Sequence, residues 1–116
     1  MLDKSGVYDT IHVRMKKVVT IDPSAAEELN SFPIAVRARF NDLFEILSLE
    51  GKLEMPFAKK VTKNLFEIRV RTSGQWRATY AYFLETQIII LSAFQKKVQK
   101  TPKNELESAL KRFKKY

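Results

Sequence analysis

Residues 65–102 read LFEIRVR (65–71), TSGQ (72–75), WRATYAYF (76–83), LETQ (84–87), IIILSAF (88–94) and QKKVQKTP (95–102). Three segments rich in β-branched and aromatic residues stand in tandem, separated by four-residue turns, and so predict an antiparallel meander. In the first, Phe66, Ile68 and Val70 share one face, while Glu67, Arg69 and Arg71 share the other, expected to be a polar outer face. In the second, Trp76, Ala78, Tyr80 and Tyr82 alternate with Arg77, Thr79, Ala81 and Phe83. The third, from Ile88 to Phe94, is apolar on both faces and predicts a central strand. The strands and their exits carry Arg69, Arg71, Arg77, Lys96, Lys97 and Lys100, with little acid to balance them. A cationic sheet face of this kind suits a polyphosphate backbone.

Upstream, residues 15–21 (MKKVVTI) predict a first strand. Asp22 can cap a short helix with Pro23 at its first position, where a missing N–H costs nothing. A second helix begins near Pro33. Val36, Phe40, Leu43, Phe44 and Leu47 make one apolar stripe along it, Arg37, Arg39, Asp42 and Glu45 take its other face, and Gly51 is a natural stop. Residues 52–64 form a connector containing Pro56, Lys59, Lys60 and Lys63. A last helix opens at Thr101–Pro102, with Leu106, Ala109, Leu110 and Phe113 as its stripe and cations at its end, where they suit the helix dipole. The order strand, helix, helix, meander, helix defines an α+β fold of two layers. Its twisted, mainly antiparallel sheet, the first strand plus a three-stranded meander, is packed by two N-terminal helices and a C-terminal helix.

The 116 residues suffice for one core. With no cysteine, disulfides, cysteine-based zinc sites and a thiol nucleophile are excluded, and a cytoplasmic location is expected. No apolar run approaches the ~20 residues needed to span a bilayer. The net charge of +8 is unevenly spread: residues 1–58 hold seven Lys/Arg and nine Asp/Glu, and residues 59–116 hold fourteen and four. That asymmetry points to an anionic partner, nucleic acid rather than membrane, because the cations accompany strands. Scattered carboxylates in a basic chain indicate no metal site.

Taken in order, LFEIR at 65–69, Gly74 before the Trp76–Arg77 pair, Tyr80, FQKKVQKTP at 94–102 and ELESAL at 105–110 resemble the RelE/ParE toxin superfamily, in its phage-derived HigB-like branch. The resemblance covers residues 15–116 as a single domain and leaves residues 1–14 as an N-terminal extension. It implies a toxin of a type II toxin-antitoxin system, a metal-independent and cofactor-free endoribonuclease that cuts mRNA on the ribosome. It also implies a helix-turn-helix, HigA-like antitoxin as partner. By position it implies Arg69, Arg77, Lys96 and Lys97 as cleavage residues. From its place on the same strand face as Arg69, Glu67 reads as either a base or the ion-pair partner of a neighbouring arginine. Lys59, Lys60, Lys63, Arg71 and Lys100 are the expected RNA contacts. His12, the single histidine, lies in the extension and is expected to be non-catalytic. Trp76, Tyr80 and Tyr82 fit either base stacking or the core. Two other functions share this fold: a ParE-like gyrase poison without RNase activity, and a non-toxic interaction module.

Overall fold

The meander forms as expected, and a further strand joins it. The computed structural model describes residues 16–116; the extension and His12 fall outside the described residues. The elements are β1 (Val18–Ile21), α1 (Pro23–Asn30), α2 (Ile34–Glu50), β2 (Ala58–Thr62), β3 (Leu65–Arg71), β4 (Gln75–Phe83), β5 (Gln87–Gln95) and α3 (Lys103–Phe113). The strands form one sheet in the order β1-β5-β4-β3-β2. β2–β3, β3–β4 and β4–β5 are antiparallel, while β1 runs parallel to β5. The α+β class therefore holds.

β2 corrects the expectation of a plain connector over residues 52–64. Its sequence AKKVT hides a strand because two lysines interrupt the apolar pattern. Lysines are what an edge strand carries to discourage pairing with another chain, and β2 is an edge. β1 is shorter than predicted. The amides of Lys16 and Lys17 both donate to the Ser48 carbonyl at the end of α2, so they are withdrawn from the sheet.

Helix signals were legible. The Asp22 carboxylate accepts the Ser24 amide at 3.0 Å, with Pro23 at the first helical position. All five residues of the α2 stripe are buried, and Gly51 ends the helix in the left-handed conformation, φ 79°, its N–H bonded to Leu47 O. The last helix starts later than Thr101–Pro102: α3 begins at Lys103, with Pro102 at its N-cap position and no side-chain cap. Within its stripe Ala109 is buried, whereas Leu110 is exposed.

Both sheet faces are covered in part. α1 and α2 carry the chain from edge to edge over one face, packing Leu29, Phe32, Phe40 and Leu47 against Ile68, Trp76, Tyr80 and Ile90. On the other face Leu65, Ala81, Ile89 and Leu91 meet Ala109, with Leu106 and Phe113 alongside. β5 is thus central and apolar on both sides. A register shift opposite Thr79 and Tyr80 lets Ile90 and Ala93 serve the same core. The uncovered end of the second face, beside the β3–β4 turn, is where the arginines lie.

Candidate functional site

Strand register assembles the site. Arg69 on β3 stands opposite Arg77 on β4, and Glu67 stands opposite both Lys59 and Thr79. The side chains of Lys59, Glu67, Arg69, Arg71 and Arg77 therefore share one face. Beyond β5, the Lys96 amide donates to the Gln75 carbonyl at 2.8 Å, which holds the basic exit of β5 against the start of β4. The result is a depression of about 660 Å3 lined by Arg69, Arg71, Gln75, Arg77, Lys96, Lys97, Val98 and Gln99. It has five cations and no carboxylate on its wall.

Beneath it lies a buried ion pair. Glu67 is 1% exposed and Arg77 2%. Arg77 Nε donates to Glu67 Oε1 at 3.2 Å, one terminal nitrogen donates to Trp76 O at 3.0 Å, and the other to Gln75 Oε1 at 2.9 Å. Glu67 also accepts from the Thr101 hydroxyl. The polar face expected for β3 is thus sealed at Glu67, because the chain leading into α3 folds back over it. Desolvation lowers the Arg77 pKa, Glu67 opposes that fall, and the nearby Arg69 and Arg71 reinforce it.

Arg69 is different. Its Nε is 3.8 Å from Glu67 Oε1, and this buried nitrogen has no hydrogen-bond partner, while the side chain keeps 22% of its surface exposed. Arg71 and Lys97 are exposed, and Lys96 is half-buried. The Lys96 pKa is lowered, first by desolvation and then by the charges of Arg77, Arg69 and Lys59, against the pull of Glu67. An ammonium placed among guanidinium groups surrenders its proton more readily.

A second depression of about 270 Å3 adjoins the first, sharing Arg69, Lys96 and Gln99 and adding Lys59, Lys60, Val61, Glu67, Lys100, Thr101 and Leu106. The structure thus gathers Glu67, Arg69, Arg71, Arg77, Lys59, Lys60, Lys96, Lys97 and Lys100 around two connected hollows. Lys63 is left out: it sits in the β2–β3 turn, at the opposite end of β3 from Arg71. Trp76 and Tyr80 are core residues. Trp76 packs 4.7 Å from Phe32 and donates its indole N–H to Thr72 O, and Tyr80 is 1% exposed. Tyr82 is half-buried and donates to Gly51 O. Sequence reasoning missed Gln75, Gln99 and Thr101. Gln75 opens β4 beside the turn and Gln99 and Thr101 lie in the loop before α3, where nothing in the local pattern separates them from solvated residues.

This fold and its cationic hollow define a small RelE-type α+β protein. The family model described as phage derived protein Gp49-like (DUF891) matches residues 27–114, and the chain belongs to that family. Among solved structures, a mutant of the E. coli toxin RelE in the free state aligns with a TM-score of 0.67 at 17% identity, over 84% of this chain and 98% of that one. The archaeal RelE–RelB complex from Pyrococcus horikoshii gives 0.54 at 27% identity, over 70% and 96%. The RelB–RelE antitoxin–toxin complex from Methanococcus jannaschii gives 0.56 at 20%, over 66% and 88%. These likenesses bear out the RelE/ParE-type resemblance. No curated protein matches the sequence.

Proposed function

We propose that this protein is the toxin of a toxin-antitoxin pair, of the HigB-like branch, and that it cleaves mRNA on the ribosome without a metal. The observation that carries this reading is the acid-free wall of the larger depression, where Arg69, Arg71, Lys96 and Lys97 converge above a buried Glu67–Arg77 pair. The solved relatives include toxin–antitoxin complexes, which supports an antitoxin as partner.

Metal-independent cleavage uses the RNA 2′-hydroxyl as nucleophile. Its oxygen attacks the adjacent phosphorus, the bond from phosphorus to the 5′-oxygen breaks, and the products are a 2′,3′-cyclic phosphate and a 5′-hydroxyl. A base takes the 2′ proton, cations stabilise the charge gathering on the phosphoryl oxygens, and an acid protonates the leaving oxygen. Arg69 fits the charge-stabilising role, since it lines both hollows and its side chain stays part-exposed there. Lys96, neutralised more easily than an ordinary lysine, fits the base. Lys97, exposed beside it, is the candidate acid. Arg77 and Glu67 are positioning residues in this scheme: their donors and acceptors are spent on each other, on Gln75, on Trp76 and on Thr101.

The test is induction in cells of the wild type and of Arg69→Ala at matched soluble levels, with mRNA ends mapped on ribosomes and DNA integrity followed in parallel. The expected result is 5′-hydroxyl ends within ribosome-bound messages for the wild type, and their loss in the variant. DNA breaks with intact mRNA would mean a gyrase poison instead, and intact growth would mean a non-toxic module.

A further inference from the structure

The smaller hollow differs from the larger one in character. Its rim is cationic, with Lys59, Lys60 and Lys100 all exposed, yet the half-buried side chains of Val61 and Leu106 give it an apolar surface. Glu67, the carboxylate on its wall, is paired with Arg77 and also accepts from Thr101, so the rim keeps a net positive charge. Arg69, Lys96 and Gln99 line both hollows and join them. Its volume of about 270 Å3 lies just below the range of drug-sized ligand sites, the scale of one nucleoside rather than a large cofactor.

We propose that this hollow is a nucleoside subsite: it takes the base and ribose next to the cleaved phosphate of single-stranded RNA. Lys59 and Lys100 pair with the phosphates that flank that nucleoside. The inference deepens the proposed function and rests on it. The larger hollow holds the reacting phosphate at Arg69 and Lys96, Leu106 and Val61 give the ribose or base an apolar seat, and the lysines fix the strand's course. Because α3 supplies Leu106 and the segment before it supplies Lys100 and Thr101, the subsite exists only with the C-terminal helix docked.

The experiment measures binding of labelled single-stranded RNAs carrying one, two or four phosphates, across a salt series. It uses the wild type, Lys59→Gln/Lys100→Gln, and a control, Lys111→Gln/Lys114→Gln, that removes the same charge from exposed positions of the C-terminal segment. Each phosphate contact contributes about 0.7 to the slope of log affinity against log salt on single strands. The Lys59→Gln/Lys100→Gln protein should therefore lose about 1.4 of slope and on the order of tenfold affinity on the four-phosphate RNA, with one-phosphate binding unchanged. Leu106→Asn should weaken the longer RNAs while leaving the slope alone. Equal losses in the control would mean only the general field of the protein matters and would overturn the subsite. So would an unaltered slope in Lys59→Gln/Lys100→Gln. A wild type that binds no RNA at low salt would end the subsite alone, because cleavage on the ribosome is tested separately by the mapped mRNA ends; loss of those ends in the wild type would end the proposed function and the subsite with it.

Discussion

Arg69 and Arg77 face each other across two strands, yet they have opposite surroundings. Like charges directly opposite repel, and Glu67 relieves this by lying 3.2 Å from one and 3.8 Å from the other. Arg77 is enclosed and its removal leaves a carboxylate buried without its main partner. Arg77→Ala should therefore cost about 3–5 kcal/mol of stability, read as a lower midpoint in denaturant. Arg69→Ala should melt close to the wild type but cleave on the order of a hundred- to a thousand-fold more slowly. A stable Arg77→Ala protein, or an active Arg69→Ala one, would reverse these assignments. Lys96 adds a pH test. Its pKa is lowered, by desolvation and then by its cationic neighbours, and as a base it must be neutral. Cleavage should rise with pH toward the folded Lys96 value, at lower pH than an ordinary lysine would allow, and fall again where the acid loses its proton. Lys96→Arg, charged at every working pH, should lose the rising limb and most of the rate.

At the scale of elements, α3 is held by polar contacts as much as by its apolar stripe. Arg112 grips Glu28 of α1 with two bonds of 2.8 and 3.0 Å and also donates to Leu91 O. The Glu28 carboxylate in turn accepts the Ala93 amide of β5. Past the helix end, Tyr116 donates to the buried Asp22 at 2.6 Å and Lys115 lies 2.9 Å from it. Burial works to raise the Asp22 pKa, but the bonds from Tyr116, Lys115 and the Ser24 amide outweigh it and hold the group below its usual 3.8. Because the folded value is depressed, Asp22 stabilises the protein above the unfolded pKa, and this is lost as pH falls through the folded one. Tyr116→Phe should cost about 1 kcal/mol near neutrality. The gap to wild type should narrow below about pH 4, close to the unfolded carboxyl value. A gap independent of pH down to 2 would mean that the Asp22 contact is not what the tyrosine supplies.

For the whole molecule, charge is the dominant variable. The chain carries +8, and its basic half supplies β2 through α3, so the positive field is concentrated around the hollows rather than spread evenly. Such a field speeds encounter with an acidic partner and is screened by salt over about 8–10 Å. Association with the cognate antitoxin should slow steeply between low and physiological ionic strength, measured by stopped flow, with the dissociation rate changing less. An association rate indifferent to salt would indicate a contact made mainly of apolar surface. No helix among the described residues is long and apolar enough to cross a membrane.

Local chemistry alone settled much of this protein. The alternation in LFEIRVR, the apolar run IIILSAF, the Asp22–Pro23 cap and the stripe from Val36 to Leu47 each contain their own periodicity, and each became the expected element. The cationic character of residues 59–116 was equally plain, since charge is a property of composition. Tertiary structure alone decided what depends on pairing and cover. AKKVT is a strand because β3 offers it a partner, which no pattern within five residues can disclose. Arg69 and Arg77 look alike as letters, and only strand register and the returning segment at Thr101 bury one and leave the other open. Lys59 lies far along the chain from Lys96 and Lys100 and meets them because β2, the end of β5 and the approach to α3 converge at one end of the sheet. Spacing along a chain reports periodicity over a few residues, while a site depends on distances through space, and those are set by the fold.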